Sequence, residues 1–588
     1  MLVREWRIFG LEVACSDDDG SLAISPPLLA ALARRLAVPA DEISPSDVTL
    51  VRRSLDARPR RPRRAAPPPP PAVRWSYVVD VTLAREVARR LRPQPGRQLP
   101  AARERARDSS VRRGGGEARR VVVVGAGPCG LFAALELARA GHRVTLCERG
   151  KPVEERGKSI GALIKRGEVD PESNFCYGEG GAGTWSDGKL TTRIGRNSAE
   201  VRHVLETLVR FGAPARILVD GAPHLGTDNL VRLLKAFRRE LQSLGACLRW
   251  DARVERLLVA DGRVRGVALA SGESVGADAV LVAAGHSARE LYAELLRCGA
   301  TLVPKDFAVG FRVEHPQQSI NEAQYGELAA LCLARGQGPL PPAAYRLATT
   351  VADGRDVARR AARGVYSFCM CPGGQIVPTA LDAAHLCING MSYSNRGSRW
   401  ANSAVVVSVG ASFGDTEGVS LERVGGHAEL AGLAFQEAME ERAAAMGGGK
   451  VVCPVQRVSD FLEGRLSEGV LPESSYRIGV VSAPLHELYP EPLTHALREG
   501  LRKFAASMPG FDSEEALLHG VETRTSSPVQ VARDNVTLEA TTLRGLYPAG
   551  EGAGYAGGIV SAAVDGVRVA RAVVDAMSKL DSSEPSVA

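Results

Sequence analysis

Between Arg119 and Glu148 the chain reads strand, glycine turn, helix and strand without interruption, and this order constrains the fold more than any other stretch. Val121 to Val124 is a short apolar run of the kind buried in a parallel sheet. Gly125, Gly127 and Gly130 follow in the spacing G-x-G-x-x-G and open an apolar helix. The first glycine makes a tight turn, the second lets a pyrophosphate approach the backbone at a helix N-terminus, and the third lets helix and strand pack closely. A second strand, Arg143 to Cys147, ends at Glu148. A carboxylate there accepts hydrogen bonds from a ribose and repels a 2′-phosphate, so FAD or NAD is expected rather than NADP.

The 588 residues, 45% hydrophobic, exceed one core and predict two or three domains. No apolar run reaches the roughly 18 residues of a membrane helix. Met1-Leu-Val-Arg-Glu-Trp-Arg7 lacks an apolar h-region, and Asp17-Asp-Asp19 argues against a transit peptide. Eleven cysteines without a framework spacing suit reduced thiols, so a cytoplasmic protein is expected, an organelle stroma or matrix being the other compatible compartment. The net charge of +7 hides a local excess: residues 52–120 hold 20 Arg and no Lys against 6 acids, which leaves the remainder acidic. With its Pro67 to Pro71 tract and no interleaved aromatics, this arm reads as a solvated linker. Nucleic acid is not the expected partner; an electron donor or protein partner is the other reading of the arm.

Residues 1–84 predict a small α+β module, with strands at Trp6 to Ala14, Val48 to Ser54 and Trp75 to Leu83, a helix at Pro27 to Leu36, and an arginine and proline loop at 58–74. Residues 85–118 form a basic linker. Residues 119–290 hold the first part of a Rossmann-type α/β domain. In it Thr227 or Asp228 is expected to cap a helix that places Leu230, Leu233, Leu234, Phe237 and Leu241 on one face. Three strand-like runs follow, Ala252 to Val259, Arg263 to Ala270 and Ser274 to Ala284, with hairpin turns at Asp261-Gly262 and Ser271-Gly272. A strand, helix, strand, helix and three-stranded meander favours FAD, because an NAD half-domain would continue with another crossover. Residues 291–510 read as an inserted α+β substrate or cap domain. Residues 511–580 return to the FAD-binding domain with a strand ending at Gly550-Glu551, the run Gly554-Tyr-Ala-Gly-Gly558 and a helix from Ile559 to about Met577.

A second G-x-G-x-x-G, Gly178 to Gly183, has neither strand before it nor apolar helix after it. Gly180, Gly181 and Gly183 are read as a loop laid against phosphate or flavin, beside Trp185 and Lys189. At the C-terminal turn Glu551 is a candidate for the ribityl chain, and the helix opening near Gly557 and Gly558 would aim its dipole at the flavin. Gly285 follows the end of the meander run. His224, His286, His315 and Lys189 are candidate proton donors. Arg524-Thr-Ser-Ser-Pro528 and Arg312-Val-Glu-His315 are candidates by position. Cys369-Met-Cys371 is read as a pair of buried structural cysteines in preference to a redox pair or metal site. No metal site is expected.

Taken together the chain resembles a family of uncharacterised FAD-dependent dehydrogenases, a branch of the flavoproteins with a glutathione-reductase-like FAD fold. The resemblance rests on Val122 to Gly130, Glu148-Arg-Gly150, Asp170 to Asn174, Gly178 to Leu190, Pro223 to Asp228, Gly285 to Ala288, Phe307 to His315, Phe368 to Gly374, Asn389 to Ser392, Glu522 to Pro528 and Tyr547 to Gly554. It implies pyrophosphate on Gly125, Gly127 and Gly130, ribose on Glu148, adenine near the backbone of Val254, and the flavin end on Gly550, Glu551, Gly557 and Gly558. It also implies that Arg156 supports the nucleotide. The insert near 58–71 and the long linker before Arg119 depart from the family. The resemblance brings no catalytic residue or substrate. The expected function is an FAD-dependent oxidoreductase moving a hydride or electron pair between flavin and a small organic molecule, with NAD(P)H as a transient reductant. A flavin-bound assembly or scaffold protein is the alternative.

Overall fold

Val121 to Val124 lie at the centre of a parallel five-stranded sheet, flanked by Arg143–Cys147 on one side and Ala279–Val282 on the other. Cys247–Arg249 and Leu546–Pro548 complete its two edges. The computed structural model describes residues 5–18, 20–57, 73–101, 118–195, 198–332, 338–352, 362–410 and 413–583. Two stretches of the arginine-rich arm, 58–72 and 102–117, therefore lie outside the described residues. Leu546–Pro548 comes from the far end of the chain, so the domain is discontinuous. One face of the sheet is covered by the helices Pro128–Arg139, Ala199–Arg210, Thr227–Ser243 and Ile559–Ser583, whose apolar sides share one core.

The run expected as one strand from Ser274 to Ala284 is two. Ser274–Gly276 finishes an antiparallel meander with Val254–Ala260 and Arg263–Leu269, and Ala279–Val282 crosses into the parallel sheet. The meander turn at Asp261 and Gly262 has φ of 51° and 66°, the positive pair that a two-residue hairpin with native twist requires. Thr227 and Asp228 do not cap their helix. Gly226 holds the N-cap position, the Thr227 hydroxyl donates to the Ser186 carbonyl at 3.1 Å, and Asp228 accepts from Ser394.

Residues 307–522 build a seven-stranded sheet around Phe307–Pro316, which is paired on both sides by Trp400–Val409 and Leu517–Glu522. Leu517–Glu522 thus belongs to the inserted domain, and the boundary expected at 510 moves beyond it. A two-stranded ribbon, Leu302–Pro304 with Val529–Val531, marks both crossings between the domains.

The N-terminal strands Glu5–Ala14, Val48–Asp56 and Arg74–Thr82 are joined by Gln98–Pro100, which pairs with the first of them, so the module runs past 84. The segment from 85 to 101 is a short helix and a strand rather than linker. Its apolar residues share one core with the inserted domain. Among the described residues no helix is long and apolar enough to cross a membrane.

Candidate functional site

A cavity of about 410 Å³ runs between the parallel sheet and the inserted domain. Its first wall is the glycine turn. Gly125 has φ of 101°, and a Cβ there would lie 2.5 Å from the Ala283 carbonyl oxygen. At Gly130 a Cβ would lie 1.9 Å from the Gly125 carbonyl oxygen, so this glycine sets helix against strand and does not face the cavity. Gly127 differs. Its nearest neighbour in the Cβ direction is 3.9 Å away, it lines the cavity, and it precedes the helix Pro128–Arg139, whose unpaired N-terminal N–H groups favour an anion.

Glu148 closes this end. Its Oε2 accepts the Ala126 N–H at 2.8 Å, and its Oε1 accepts those of Gly150 at 3.0 Å and Gly178 at 2.9 Å. A carboxylate has about four acceptor sites, so room remains for a hydroxyl at the cavity surface that Glu148 lines together with Arg149 and Val254.

The second glycine cluster folds back over the first. Gly180 N–H donates to the Ala126 carbonyl at 2.8 Å, and a Cβ on Gly181 would stand 3.0 Å from the Cα of Gly127. Gly181 and Gly183 line the cavity; Gly180, at φ of 86°, turns the chain behind it. Arg156 organises this loop. Fully buried, it donates to the carbonyls of Asn174, Phe175, Gly178, Glu179 and Gly181 at 2.8 to 3.2 Å, and its guanidinium lies over Trp185. The direct nucleotide contact implied for Arg156 is therefore corrected. Its N–H groups are occupied by the loop, and it does not line the cavity.

The far end is built by Gly285, His286, Glu551, Gly557, Gly558, Lys189, Phe368, Cys369, Asn389 and Arg524. Around Gly285, Gly557 and Gly558 the Cβ directions are open. Gly550 lies behind the wall, its N–H given to Asp565 at 2.7 Å, and a Cβ there would meet Cys129. The Glu551 side chain is 28% exposed, to the cavity, and burial pushes its carboxyl up to about 7 against the pull of Lys305. His286 Nδ1 stands 3.7 Å from it. Burial, followed by the charges of Arg524 and Arg289, pulls His286 down to about 4, so the ring is neutral near pH 7.

Lys189 bonds Asp187 at 2.9 Å and the Met370 carbonyl. Despite its burial, Asp187 is held well below the usual carboxylate range by Lys189 and Arg396. Arg524 is oriented by Glu440, which also takes Arg289 at 2.7 Å. Burial opposes the charge on Glu440, yet the two guanidiniums hold it at about 2.

Of the other sequence candidates, His224 is half-buried against the Ser394 carbonyl, and His315 packs on Phe511 away from the cavity. Arg312 lies behind the wall, bonded to Glu522, Asn389 and Asn402. Cys371 is buried as expected; Cys369 is not, and opens onto the cavity. Glu440 and Asp187 escaped sequence reasoning because each is one acid among many until the partner arginine is placed in space. Asn389 had no signal beyond its place in a quoted motif.

The fold and the cavity define a dinucleotide-binding α/β protein with an inserted sheet domain. Residues 120–213 match the family described as FAD dependent oxidoreductase, and residues 306–525 match the FAD-dependent protein, C-terminal domain-like family. An uncharacterised protein of Clostridium beijerinckii is 41% identical over 459 residues, 78% of this chain and 81% of that protein. The FAD-dependent monooxygenase nodY2 of Hypoxylon pulicicidum is 32% identical over 188 residues, 30% of this chain and 39% of that protein. A geranylgeranyl bacteriochlorophyll reductase-like structure from Thermoplasma acidophilum aligns with a TM-score of 0.32 at 14% identity, covering 80% of this chain and 81% of that one. The chain belongs to the FAD-dependent oxidoreductase family.

Proposed function

We propose that the protein moves a hydride or electron pair between FAD and an organic substrate that enters under the inserted domain. The observation that carries this reading is the continuity of the cavity from Glu148 and Val254, past Gly127, to Lys189 and Glu551. The residues present fit FAD. Gly127, Gly285, Gly557 and Gly558 leave open the space that a Cβ would fill, a helix N-terminus faces the same cavity, and a carboxylate stands at each end.

Gly125, Gly127, Gly181 and Gly183 would hold the pyrophosphate stretch, Glu148 a ribose, Val254 the adenine edge, and Glu551 with Gly557 and Gly558 the flavin end. Bound FAD would supply the redox chemistry. The chain orients it, excludes water, and keeps a proton within reach: Glu551 is half protonated near neutrality, beside a His286 ring that stays neutral there.

NADH or NADPH, if it is the reductant, would dock transiently at the flavin face, since the second glycine cluster is a loop and not a second nucleotide fold. The monooxygenase among the relatives makes oxygen the other co-substrate to test. The scaffold reading draws no support from these relatives.

The test is the absorbance of purified protein, followed by anaerobic mixing with NADH, NADPH and candidate substrates, and then by oxygen uptake. Bound flavin that bleaches with one donor supports the proposal. A protein that binds no FAD when FAD is supplied overturns it.

A further inference from the structure

The strand Ala362–Cys371 pairs regularly with Trp400–Val409 from Val365 to Phe368, then slips before Cys371 meets Asn402. Cys369 sits in the slip at φ of 46°, a left-handed conformation that a residue with a Cβ adopts only under strain. Strand bulges of this kind re-aim side chains beside active sites. Two cations hold it. Arg312 Nη1 donates to the Cys369 carbonyl at 3.3 Å, and Lys189 Nζ donates to the carbonyl of Met370, the residue between the two cysteines.

Both cysteines line the cavity that Lys189 and Glu551 also line, but unequally. Cys369 is open to it, whereas Cys371 is 1% exposed, with its thiol turned back onto the Cys369 carbonyl at 3.3 Å. The nearest acids are already engaged, Asp187 by Lys189 and Arg396, and Glu522 by Arg312. Arg524 and Glu551 line the same cavity.

We propose that Cys369 and Cys371 form a dithiol–disulfide couple that exchanges an electron pair with the bound flavin, Cys369 being the sulfur that an external thiol or disulfide reaches. The proposal rests on the FAD reading of the cavity. In the oxidising direction both S–H bonds break, one S–S bond forms, and two electrons and two protons pass to oxidised flavin. In the reverse direction reduced flavin returns the pair, the S–S bond breaks, and each sulfur takes one proton.

The setting suits both end states. Burial raises the Cys371 thiol, so it rests neutral, and a disulfide is neutral too. The thiolate formed in passing is the species that Lys189 and Arg312 favour. A plain structural cysteine needs neither the left-handed backbone nor the opening onto the cavity.

The test uses the full-length holoprotein with flavin content measured first. It combines an anaerobic dithionite titration with differential alkylation and mass mapping of residues 369 and 371. Air-oxidised protein is expected to take up one electron pair beyond the pair taken by the flavin, and both cysteines are expected to alkylate only after reduction. Cys369→Ser and Cys371→Ser should each keep flavin and lose the additional pair. Uptake equal to the flavin alone, with both thiols alkylated before reduction, overturns the couple. Protein that retains no flavin overturns the FAD reading instead. In that case mapping across a dithiothreitol redox buffer decides the couple: a reducible 369–371 disulfide supports it, and its absence at every poise overturns it.

Discussion

Glu148 accepts the Gly178 N–H at 2.9 Å, so the acid that ends the second strand of the nucleotide fold also anchors a loop thirty positions later. The same carboxylate takes Ala126 and Gly150, and it therefore organises the pyrophosphate turn before any ligand arrives. Glu148→Arg replaces one acceptor of three N–H groups by a cation. Each buried donor left unpaired costs about 1–3 kcal/mol. The expected outcome is a lower urea midpoint and a flavin-to-protein absorbance ratio that collapses on dialysis. An unchanged ratio would remove Glu148 from the cofactor site.

Gly127 and Gly130 share a motif and should fail differently. Gly127→Ala meets nothing closer than 3.9 Å in the protein, so the flavin-free variant should melt within a degree or two of the parent while its affinity for FAD falls at least roughly tenfold, about 1.4 kcal/mol. Gly130→Ala drives a methyl to 1.9 Å from a backbone oxygen and should lose stability with or without flavin, by the roughly 1–3 kcal/mol typical of overpacking. Melting curves of both variants, with and without FAD, separate the two roles.

How far the sequence carried follows from where the information lies. The glycine turn, the acid at 148, the meander turns and the C-terminal Gly-Glu turn are local patterns, and backbone physics places them. The helix Val153–Arg166 went unread because Gly157, Gly161 and a high charge content blur its apolar stripe, although Val153, Ile160 and Leu163 are buried. Leu517–Glu522 joins the sheet of the inserted domain through pairing with Phe307–Pro316, some 200 positions upstream, which no window of sequence displays. Arg156 carries no local sign of its partners, because the carbonyls that claim it lie in a loop whose path only the structure reveals.

Arg156→Lys tests that reassignment. An ammonium cannot span five carbonyls in the plane of a guanidinium. The loop 174–183 should become accessible to limited proteolysis, and flavin should be lost as a consequence. Loss of flavin with an unchanged cleavage pattern would restore a direct contact.

The pH dependence of the flavin-free protein should carry the mark of Glu551. Its carboxyl is raised from 4.5 to about 7 by burial, so across that window the folded protein holds a proton that the unfolded chain has released. Its contribution to stability is complete below about 4.5 and is lost as pH rises through about 7. The melting temperature of the parent should therefore fall more steeply between about pH 5 and pH 8 than that of Glu551→Gln, which has no proton to lose. Parallel curves for the two proteins would show that Glu551 does not titrate there.

The N-terminal module offers the last test, because two independent contacts tie it to the rest. Its strand Val48–Asp56 is extended by a bridge to the nucleotide domain: Arg53 N–H donates to Val219 at 3.0 Å, Gly221 N–H returns to Arg53 at 2.7 Å, and the Arg53 side chain reaches Asp220 at 2.7 Å. Its apolar residues, among them Ile8, Leu11 and Val79, share a core with Ile160, Phe175 and the inserted sheet. Removing residues 1–117 would leave that core facing water and an unpaired backbone edge at 219–221, the combination that drives aggregation. The truncated chain should be insoluble or should bind hydrophobic dye and lack a cooperative melt, while Arg53→Ala alone, which removes one half-buried ion pair, should cost about 1 kcal/mol or less. A soluble truncation that keeps its flavin and melts with the parent would make the module a detachable appendage, and the shared core would then contribute nothing to the fold.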